Sequence, residues 1–410
     1  MSVLKKLGVA WRVLRTEGLL SVRDRTADRI AEARRRRSFT PAPPGWRPAS
    51  PIPVLTVSAT PPAPRLGGVQ AQLLRRIEDA AERQPTALLY SEAGAWRLEV
   101  EAGGERRAMS FPGNPPSPIA MEDAAFESAV REAVRIVGAK TVHAEGLAGL
   151  PPVSLLRLGR EGLELTLSLH DFAPFCPRPH LLEQPHLRFC WYSRDLARCG
   201  NCLRQDWPVE DDFQRQRREI EAELLATAST LTFPSEFLQR TSMELFPGLS
   251  PERQRVVAPA GAEVASVPHQ EPRPVRHIAL VGGVQAHKGA LVFEEVVRRM
   301  EGEGLRWTAY GGGDPELLAR LRRLPRVRVR GYYRKGTLPH LLRRDKVDLA
   351  LLLSIVPETY SLVLDECVAA GVPVVAFDLG AVGDRLPQLR TGLLVSLEEG
   401  SEGIASALQR

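Results

Sequence analysis

Short apolar runs alternate with helical stretches along most of this 410-residue chain. The helical stretches carry apolar residues at the three-to-four-residue spacing of an amphipathic helix, and Val69–Arg83 and Ala124–Val137 are examples. The apolar runs between residues 52 and 259 predict strands at Pro53–Ser58, Ala87–Tyr90, Trp96–Glu101, Thr141–His143, Leu163–His170, Thr230–Phe233 and Val256–Pro259. Alternation of this kind predicts a parallel sheet covered by helices on both faces.

The alternation restarts after a proline cluster at residues 267–276. Strands are predicted at His277–Val281, Arg306–Tyr310, Val327–Gly331, Val347–Leu353, Val372–Phe377 and Gly392–Val395. Helices are predicted at Ala290–Arg299, Pro315–Leu321, Leu338–Arg343, Ser361–Ala370 and Glu402–Leu408. We therefore expect an α/β protein with two Rossmann-like domains, at residues 49–268 and 269–410, after a basic helical extension and proline-rich linker at residues 1–48.

The N-terminal extension has two interpretations. Leu4, Leu7, Trp11 and Leu14 recur at helical spacing among lysines and arginines, and the run Arg34–Arg37 follows. Such a segment can lie on an anionic membrane surface. It can equally be a helix packed on the body of the protein, followed by a solvated arginine run. The pattern alone does not separate these two alternatives.

Composition narrows the class of protein. The chain is 43% hydrophobic and 25% charged, which is typical of a globular protein. No apolar run approaches the length of a membrane span, and the start of the chain does not resemble a signal peptide, so we expect a cytoplasmic protein, in one interpretation peripheral to the membrane. A net charge of +6 is compatible with anionic partners such as phosphate-bearing substrates. Aromatic and basic residues do not interleave, which argues against nucleic-acid binding.

Three segments after residue 276 each follow a predicted strand and carry glycines or carboxylates. They are Gly282–Gly289, which ends in His287-Lys288-Gly289, then Gly311–Gly313, then Ser354–Glu366. Ligands bind at the carboxyl ends of strands in doubly wound sheets, so these segments should line one crevice. Glycines and a helix N-terminus there suit a phosphate. Each segment also has an ordinary explanation: a tight turn at Gly311–Gly313, a surface lysine at Lys288, and a helix-end charge at Glu358.

Glu358 and Glu366 are eight residues apart, which in a helix is about 12 Å of rise. We therefore expect one carboxylate at the mouth of the crevice and the other about two turns deeper. Glu366 lies in the otherwise apolar run Leu362–Val375, where a carboxylate is costly unless it is paired or lines a site.

Together these residues resemble the donor-binding domain of retaining glycosyltransferases of the glycosyltransferase family 4 type. The resemblance covers residues 277–395: a Pro-Glu, seven residues, Glu pattern at Pro357–Glu366, then Ala369–Ala376, and upstream Gly282 with His287-Lys288-Gly289. It implies the GT-B fold and a nucleotide-diphosphate sugar as donor. Family enzymes retain anomeric configuration and commonly work without a divalent metal, so no catalytic metal is expected.

The resemblance also implies roles for single residues. Lys288 would contact the donor diphosphate, Glu358 the transferred sugar, and Glu366 the ribose hydroxyls. Backbone N–H groups at Thr359, Tyr360, Ser361 and Leu362 would cradle the phosphates, beside Gly282, Gly289, Gly311 and Gly312. Two positions depart from the family pattern: Gly283 stands where many relatives have an arginine that contacts phosphate, and Ser361 where many have glycine. His287 or a residue of the N-terminal domain could supply the missing positive charge.

In the N-terminal domain the resemblance points to Gly67 and Gly68, which follow the first strand as the glycine-rich loop near the donor phosphate does in relatives. His170, at a strand end in Leu169–Phe172, matches a histidine that reaches the transferred sugar; alternatively it caps the strand. Another strand end that faces the cleft is expected at Val142–Gly146. Ser235 should be a helix N-cap with an acceptor contact.

Four cysteines lie in a predicted loop at residues 172–207: Cys176, Cys190, Cys199 and Cys202. Because cytoplasmic thiols are reduced, such a cluster favours a metal over disulfides. Four thiolates, two of them in Cys-x-x-Cys, fit a tetrahedral structural zinc, with His180 and His186 as alternative ligands. An iron–sulfur cluster and four unligated thiols are the alternatives. Some relatives carry a similar cysteine-rich insertion. Cys367 is expected to be a small core residue.

These observations predict a retaining, hexosyltransferase-like enzyme that moves a sugar from a nucleotide diphosphate to a glycan or other acceptor, in surface polysaccharide or glycoconjugate synthesis. The alternative, which Gly283 favours, is a non-catalytic protein that binds nucleotide sugars or carbohydrates on a degenerate fold. A nucleic-acid role for the cysteine cluster and the basic N-terminus is a weaker third hypothesis.

Overall fold

The computed structural model describes residues 11–259 and 274–409. These residues divide into two compact units. The unit of residues 32–186 and 190–259 is called the N-terminal lobe below, and the unit of residues 11–31, 187–189 and 274–409 is called the C-terminal lobe. The domain boundaries at residues 48 and 268 stay predictions, and Leu4, Leu7 and most of the proline cluster at 267–276 lie outside the described residues.

Strands and helices of the first half follow one another along the chain. The strands are β1 Thr40–Pro41, β2 Val54–Ser58, β3 Thr86–Glu92, β4 Ala95–Ala102, β5 Glu105–Pro112, β6 Thr141–Glu145, β7 Glu164–Ser168, β8 Leu182–Glu183, β9 Arg188–Phe189, β10 Thr230–Phe233 and β11 Gln254–Val256. The helices are α1 Leu19–Arg37, α2 Gly68–Ala81, α3 Ala124–Val137, α4 Pro152–Arg160, α5 Leu196–Leu203, α6 Phe213–Thr227 and α7 Glu236–Leu245.

The sheet of the N-terminal lobe is mixed rather than wholly parallel. Within the described residues, nine strands are ordered β1-β5-β4-β3-β2-β6-β7-β10-β11. From β3 through β11 the neighbours are parallel, as the sequence predicted, but β4 is antiparallel to both β3 and β5. Tight turns at Ala93-Gly94 and Gly103-Gly104, all with positive φ, make these hairpins. β5 was not predicted because its residues are mostly polar and half-exposed.

Helix α3 shows why some elements could be placed to the residue. Asp123 accepts N–H bonds from Ala125 at 2.8 Å and Phe126 at 3.0 Å, which caps the N-terminus. Gly138 ends the helix in the left-handed conformation with φ of 71°. Between these two signals the apolar face buries Phe126 against Trp96, with ring centroids 4.9 Å apart.

The second half of the chain is more regular. Its strands are β12 His277–Val281, β13 Arg306–Tyr310, β14 Val327–Gly331, β15 Leu349–Leu352, β16 Val374–Phe377 and β17 Gly392–Val395. Its helices are α8 Ala290–Arg299, α9 Pro315–Arg322, α10 Leu338–Arg344, α11 Leu362–Ala370, α12 Gly380–Leu389 and α13 Gly400–Gln409. Among the described residues of this lobe, six parallel strands are ordered β14-β13-β12-β15-β16-β17, and α12 is the helix that the sequence pattern missed.

Helices cover both faces of this sheet. One face buries Phe293 of α8 and Leu318 of α9, and the other buries Leu342 of α10 and Leu364 of α11. Cys367 is fully buried in the second core, as expected. Strand order reverses between β12 and its two neighbours, β13 and β15. In doubly wound sheets this switch point is where loops at the carboxyl edge diverge and leave room for a ligand.

Helix α1 and the residues before it pack on the protein's own charged side chains. In the C-terminal lobe, Asp24 pairs with the buried Arg330 at 2.6 Å, and Asp28 pairs with Arg334 at 3.0 Å. In the N-terminal lobe, Arg35 pairs with the buried Glu99 at 2.8 Å. At least one residue of the arginine run, which was predicted to be solvated, therefore forms an ion pair within the protein. None of the described helices is both long enough and apolar enough to cross a membrane.

Candidate functional site

The three glycine-bearing segments of the C-terminal lobe meet at the carboxyl edge of its sheet. A Cβ on Gly311 would overlap the carbonyl oxygen of Gly282, and a Cβ on Gly313 would overlap that of Val284. Gly289 has φ of 77° and lies against the carbonyl oxygen of Leu353, so it too must be glycine. The loops after β12, β13 and β15 are thus in backbone contact, as the order of strands and glycines predicted.

Glu358 and Lys288 form an ion pair at this edge. Lys288 Nζ lies 3.0 Å from Glu358 Oε1, and both side chains are partly exposed. Burial raises the pKa of Glu358, but the charge and hydrogen bond of Lys288, with smaller contributions from Ser361 and Lys335, outweigh burial and lower the pKa below its ordinary value. The carboxylate is therefore ionised at neutral pH and held beside a cation.

Lys335 was not singled out from the sequence. It lies in the loop after β14, next to Gly336, whose N–H donates to Glu366 Oε1 at 3.0 Å. This loop therefore reaches both glutamates of the motif: one through the Lys335 charge and the other through a backbone hydrogen bond. The sequence feature that could have identified Lys335 is the Lys335-Gly336 pair, which follows strand β14 of the same sheet.

The segment Thr359–Leu362 leads into helix α11. The helix begins at Leu362, so Glu358 lies in the preceding loop, while Glu366 lies within the helix. The prediction of two carboxylates separated by two helical turns is therefore wrong, because helical rise does not apply across residues 358–361. Ser361, the N-cap, has φ of 73° and ψ of 80°, a conformation that glycine adopts more readily.

Arg385 of α12 supports this segment. Its guanidinium lies over the Tyr360 ring, 4.0 Å from the centroid, donates to the Tyr360 carbonyl at 2.7 Å, and pairs with Asp365. The Glu358 carbonyl accepts the Ala381 N–H at 2.8 Å. Both termini of the Pro357–Glu366 motif are therefore anchored to α12, which orients the Glu358 side chain without engaging its carboxylate.

In the N-terminal lobe, His170 belongs to a buried polar cluster. Its Nε2 lies 2.9 Å from Glu145 Oε1, and Arg76 Nη1 lies 2.5 Å from Glu145 Oε2. His143 Nε2 is 3.4 Å from the same oxygen and 2.7 Å from Ser168 Oγ. His170 thus does not simply cap its strand, and the sequence had flagged Val142–Gly146 as a neighbouring strand end without assigning Glu145 a role.

The glycine loop of this lobe opens helix α2. Gly67 precedes the helix and Gly68 is its first residue; a Cβ on Gly67 would meet the Gln70 side chain at 2.7 Å. Helix α2 also carries Arg76, so the same element joins the loop to the His170 cluster. Ser235 caps α7 by accepting the Leu238 N–H at 3.2 Å, and its N-cap role is confirmed.

All four cysteines of the cluster line one small cavity of about 20 Å³. The backbone N–H of Gln184 donates to Cys202 Sγ at 3.3 Å, and Arg218 Nη2 lies 3.6 Å from Cys199 Sγ. Burial raises the pKa of Cys176 to about 12, against a backbone N–H bond from Arg178. Among the described residues, no three or more histidine, cysteine or acidic side chains stand in a metal-ligating arrangement.

The C-terminal part of the chain matches a known protein family, and the whole fold resembles solved structures. Residues 275–410 match the family described as "Glycosyl transferases group 1". A search of curated proteins finds no match. Among solved structures, HepE from Anabaena in complex with UDP is 13% identical, with a TM-score of 0.55 over 87% of this chain and 89% of that one.

Two further structures show the same likeness. WaaG, a glycosyltransferase involved in lipopolysaccharide biosynthesis, is 14% identical, with a TM-score of 0.54 over 87% of this chain and 90% of its own. The catalytic domain of starch synthase IV from Arabidopsis thaliana, bound to ADP and acarbose, is 11% identical, with a TM-score of 0.51 over 88% and 91%. Residues 275–410 therefore match the glycosyltransferase group 1 model, and the chain has the GT-B fold.

Proposed function

We propose that this protein is a retaining glycosyltransferase that moves a sugar from a nucleotide diphosphate to a glycan or other acceptor. The observation that carries the proposal is the Lys288–Glu358 pair at the carboxyl edge of a group 1 domain. Glycosyl transfer places positive charge on the sugar and negative charge on the leaving diphosphate. An ammonium and a carboxylate fixed 3.0 Å apart match those two charges.

Each residue near the pair has a proposed task. Lys288 binds the diphosphate, and Lys335 supplies the second cation that Gly283 cannot. Glu358 orients the sugar hydroxyls, and the N–H groups of residues 359–362, at the start of helix α11, receive phosphate oxygens. Glu366 would exchange its bond to the Gly336 N–H, or share it, with the ribose hydroxyls. His170 of the N-terminal lobe would contact the transferred sugar, and Gly67 and Gly68 the donor phosphate.

The test is turnover of a panel of nucleotide sugars, read as nucleoside diphosphate release with and without acceptor glycans. We expect one donor to be used, with the anomeric configuration of the product matching that of the donor by NMR. Glu358→Ala should reduce turnover at least ~100-fold, the size of effect that loss of one preorganised electrostatic contact produces. Its control is Glu294→Ala, which removes a buried carboxylate of the same lobe that pairs with Arg298 and Arg320.

A binding protein that lacks turnover is the second candidate, because Gly283 replaces a phosphate-contacting arginine. Calorimetry with UDP, ADP and GDP separates the two hypotheses. Tight nucleotide binding that Lys288→Ala weakens, without turnover of any donor in the panel, would favour the binding protein. Equal turnover by Glu358→Ala and Glu294→Ala would reject the assignment of the site.

We also propose a structural zinc held by Cys176, Cys190, Cys199 and Cys202. Support comes from four thiols around a cavity of about 20 Å³ and from the N–H groups directed at their sulfurs. Metal analysis of pure protein should give about one zinc per chain, and Cys199→Ser should lower both zinc content and thermal stability. Buried Cys367→Ser is the control, since it should leave zinc content unchanged. Protein without zinc or iron whose stability survives Cys199→Ser would have unligated thiols.

A peripheral membrane position through residues 1–40 is proposed as well. Trp11 and Leu19 are 62% and 72% exposed, although Asp24 and Asp28 face the protein. Sedimentation with phosphatidylglycerol vesicles should be salt-sensitive and weaken in Trp11→Ser with Leu19→Ser. Equal binding by this double variant would reject the contact at Trp11 and Leu19.

A further inference from the structure

The strand register brings Glu145 and His170 together. β6 and β7 are parallel neighbours, and Glu145 at the end of β6 is aligned with Ser168 at the end of β7. His170 follows two residues later, so its ring reaches back over the same carboxyl edge. The pairing of β6 with β7 therefore brings Glu145 close to His170, whose Nε2 lies 2.9 Å from Oε1 of the carboxylate.

Glu145 is a charged group in an almost closed environment, only 2% exposed. A buried carboxylate is costly unless other groups compensate its charge. Here Arg76 approaches one oxygen, His170 the other, and His143 stands 3.4 Å away. Although burial raises the pKa of Glu145, these three partners lower it to about 2.

An ionised carboxylate can only accept hydrogen bonds, so the His170 proton that faces it must be on Nε2. Rotation of the ring would leave the buried charge with one partner fewer. Arg76, the partner at the other oxygen, belongs to helix α2, which begins at the Gly67–Gly68 loop. One carboxylate thus connects the two parts of this lobe that are expected at the donor.

We propose that Glu145 is the positioning residue of the N-terminal lobe: it holds His170 in the Nε2-protonated tautomer and fixes helix α2 through Arg76. The proposal rests on the proposed function, because it assigns Glu145 a part in sugar transfer through His170. Charged and titratable groups that face the pair are Arg76 from α2, His143 from β6 and Asp171 after β7.

The test compares Glu145→Gln with Glu127→Gln. Glu127 is also buried in this lobe and also bonded to arginine: Arg157 at 2.6 Å and Arg131 at 3.0 Å. Release of UDP from UDP-glucose and of GDP from GDP-mannose is measured over a range of donor concentrations up to saturation. Glu145→Gln should lower kcat about 10–100-fold, within the range that a positioned acid–base group contributes, with KM for the donor changed less. Glu127→Gln should leave kcat near the wild-type value.

Two further measurements distinguish positioning from general stability. In the His170→Ala background, Glu145→Gln should add little to the loss of kcat, because the residue acts through His170. The ¹⁵N shifts of the His170 ring should show one tautomer in the wild type and in Glu145→Asp, which keeps the charge, and a mixture in Glu145→Gln. If Glu145→Gln does not fold, Glu145→Asp still tests the proposal. Partial retention of kcat in Glu145→Asp is expected only if the carboxylate charge positions the His170 ring.

The outcomes separate the two proposals. If the wild type turns over no nucleotide sugar of the whole donor panel, the proposed function fails, and the tautomer measurement still decides whether Glu145 orients His170. If donors are turned over and Glu145→Gln and Glu127→Gln reduce kcat equally, or the His170 tautomer is unchanged, Glu145 has a structural role only and the inference is overturned.

Discussion

Each lobe places an ionised glutamate at the carboxyl edge of its sheet, but the two carboxylates are satisfied in different ways. Glu145 is enclosed and has a guanidinium and an imidazole as partners. Glu358 is in a loop, partly exposed, with the Lys288 ammonium as its partner. A carboxylate that the protein itself satisfies completely is suited to hold other groups in place. A partly exposed carboxylate whose ion-pair partner is a lysine side chain can exchange that partner for a ligand.

The largest effect should come from the exchangeable pair. Lys288→Met removes the ammonium and leaves Glu358 with the smaller charge contribution of Lys335. We expect kcat to fall ~100–1000-fold, the usual cost of deleting a preorganised charge at a leaving group, and UDP binding to weaken. Lys335→Met should have a smaller effect, about tenfold, because Lys335 acts on Glu358 through its charge and contributes less than Lys288. Steady-state kinetics and calorimetry measure both quantities.

The ranking of the two lysines is what this experiment decides. If Lys335→Met costs more than Lys288→Met, the second cation proposed in place of Gly283 is in fact the principal phosphate contact. Lys346→Met is a control at a surface turn, where φ of 52° marks the end of helix α10. It should match the wild type in kinetics.

The C-terminal lobe could be predicted from sequence in detail, and the reason is local. Strands β12, β13, β14 and β17 and helix α8 were bounded to the residue because a glycine lies at or next to one end of each strand and because an amphipathic period marks the helix. The glycines at 282, 289, 311 and 313 were found because they follow predicted strands, and at 289, 311 and 313 a neighbouring backbone leaves no room for a Cβ. Lys335 was missed because only the tertiary path of its loop brings it to Glu358.

The N-terminal lobe was predicted less completely. In its β3-β4-β5 meander, β3 is buried and β4 is partly buried, so the apolar pattern showed both strands, whereas β5 is mostly polar and half-exposed and was missed. The Arg76–Glu145–His170 cluster joins residues that are 69 and 25 positions apart, and no short motif contains it. The cysteines could be grouped by spacing, but the 20 Å³ cavity that they share depends on the loop conformation.

The enclosed cluster should also make stability depend on pH. Burial lowers the pKa of His143 to about 4, against the attraction of Glu145 and with repulsion from Arg76 and His170. Between pH 6.5 and 4 the unfolded chain therefore binds a proton that the folded chain refuses, and the folded state loses stability as pH falls. For this one residue the loss between pH 7 and pH 5 is about 2 kcal/mol.

His143→Gln should remove that part of the pH dependence, measured as the change in the free energy of unfolding in urea at pH 7 and pH 5. His340→Gln, at an exposed position of α10, should retain it. An identical pH slope in wild type and His143→Gln would mean that the imidazole is protonated in the folded state. The cluster around Glu145 would then be less closed than the 2% exposure of Glu145 indicates.

The smallest effect concerns the backbone that carries the exchangeable carboxylate. Ser361 holds φ of 73°, which costs an L-residue ~1–2 kcal/mol, whereas glycine at this position costs ~0.5–1 kcal/mol in unfolded-chain entropy. Ser361→Gly should therefore raise the free energy of unfolding by up to ~1 kcal/mol, and Ser361→Ala, which keeps the strain, should not. Urea unfolding of the three proteins measures the difference. An equal loss of stability in Ser361→Gly and Ser361→Ala would mean that the serine hydroxyl stabilises this position. The loop around Glu358 would then be held by side-chain contacts, as the cluster around Glu145 is. The contrast between the two carboxylates would be removed.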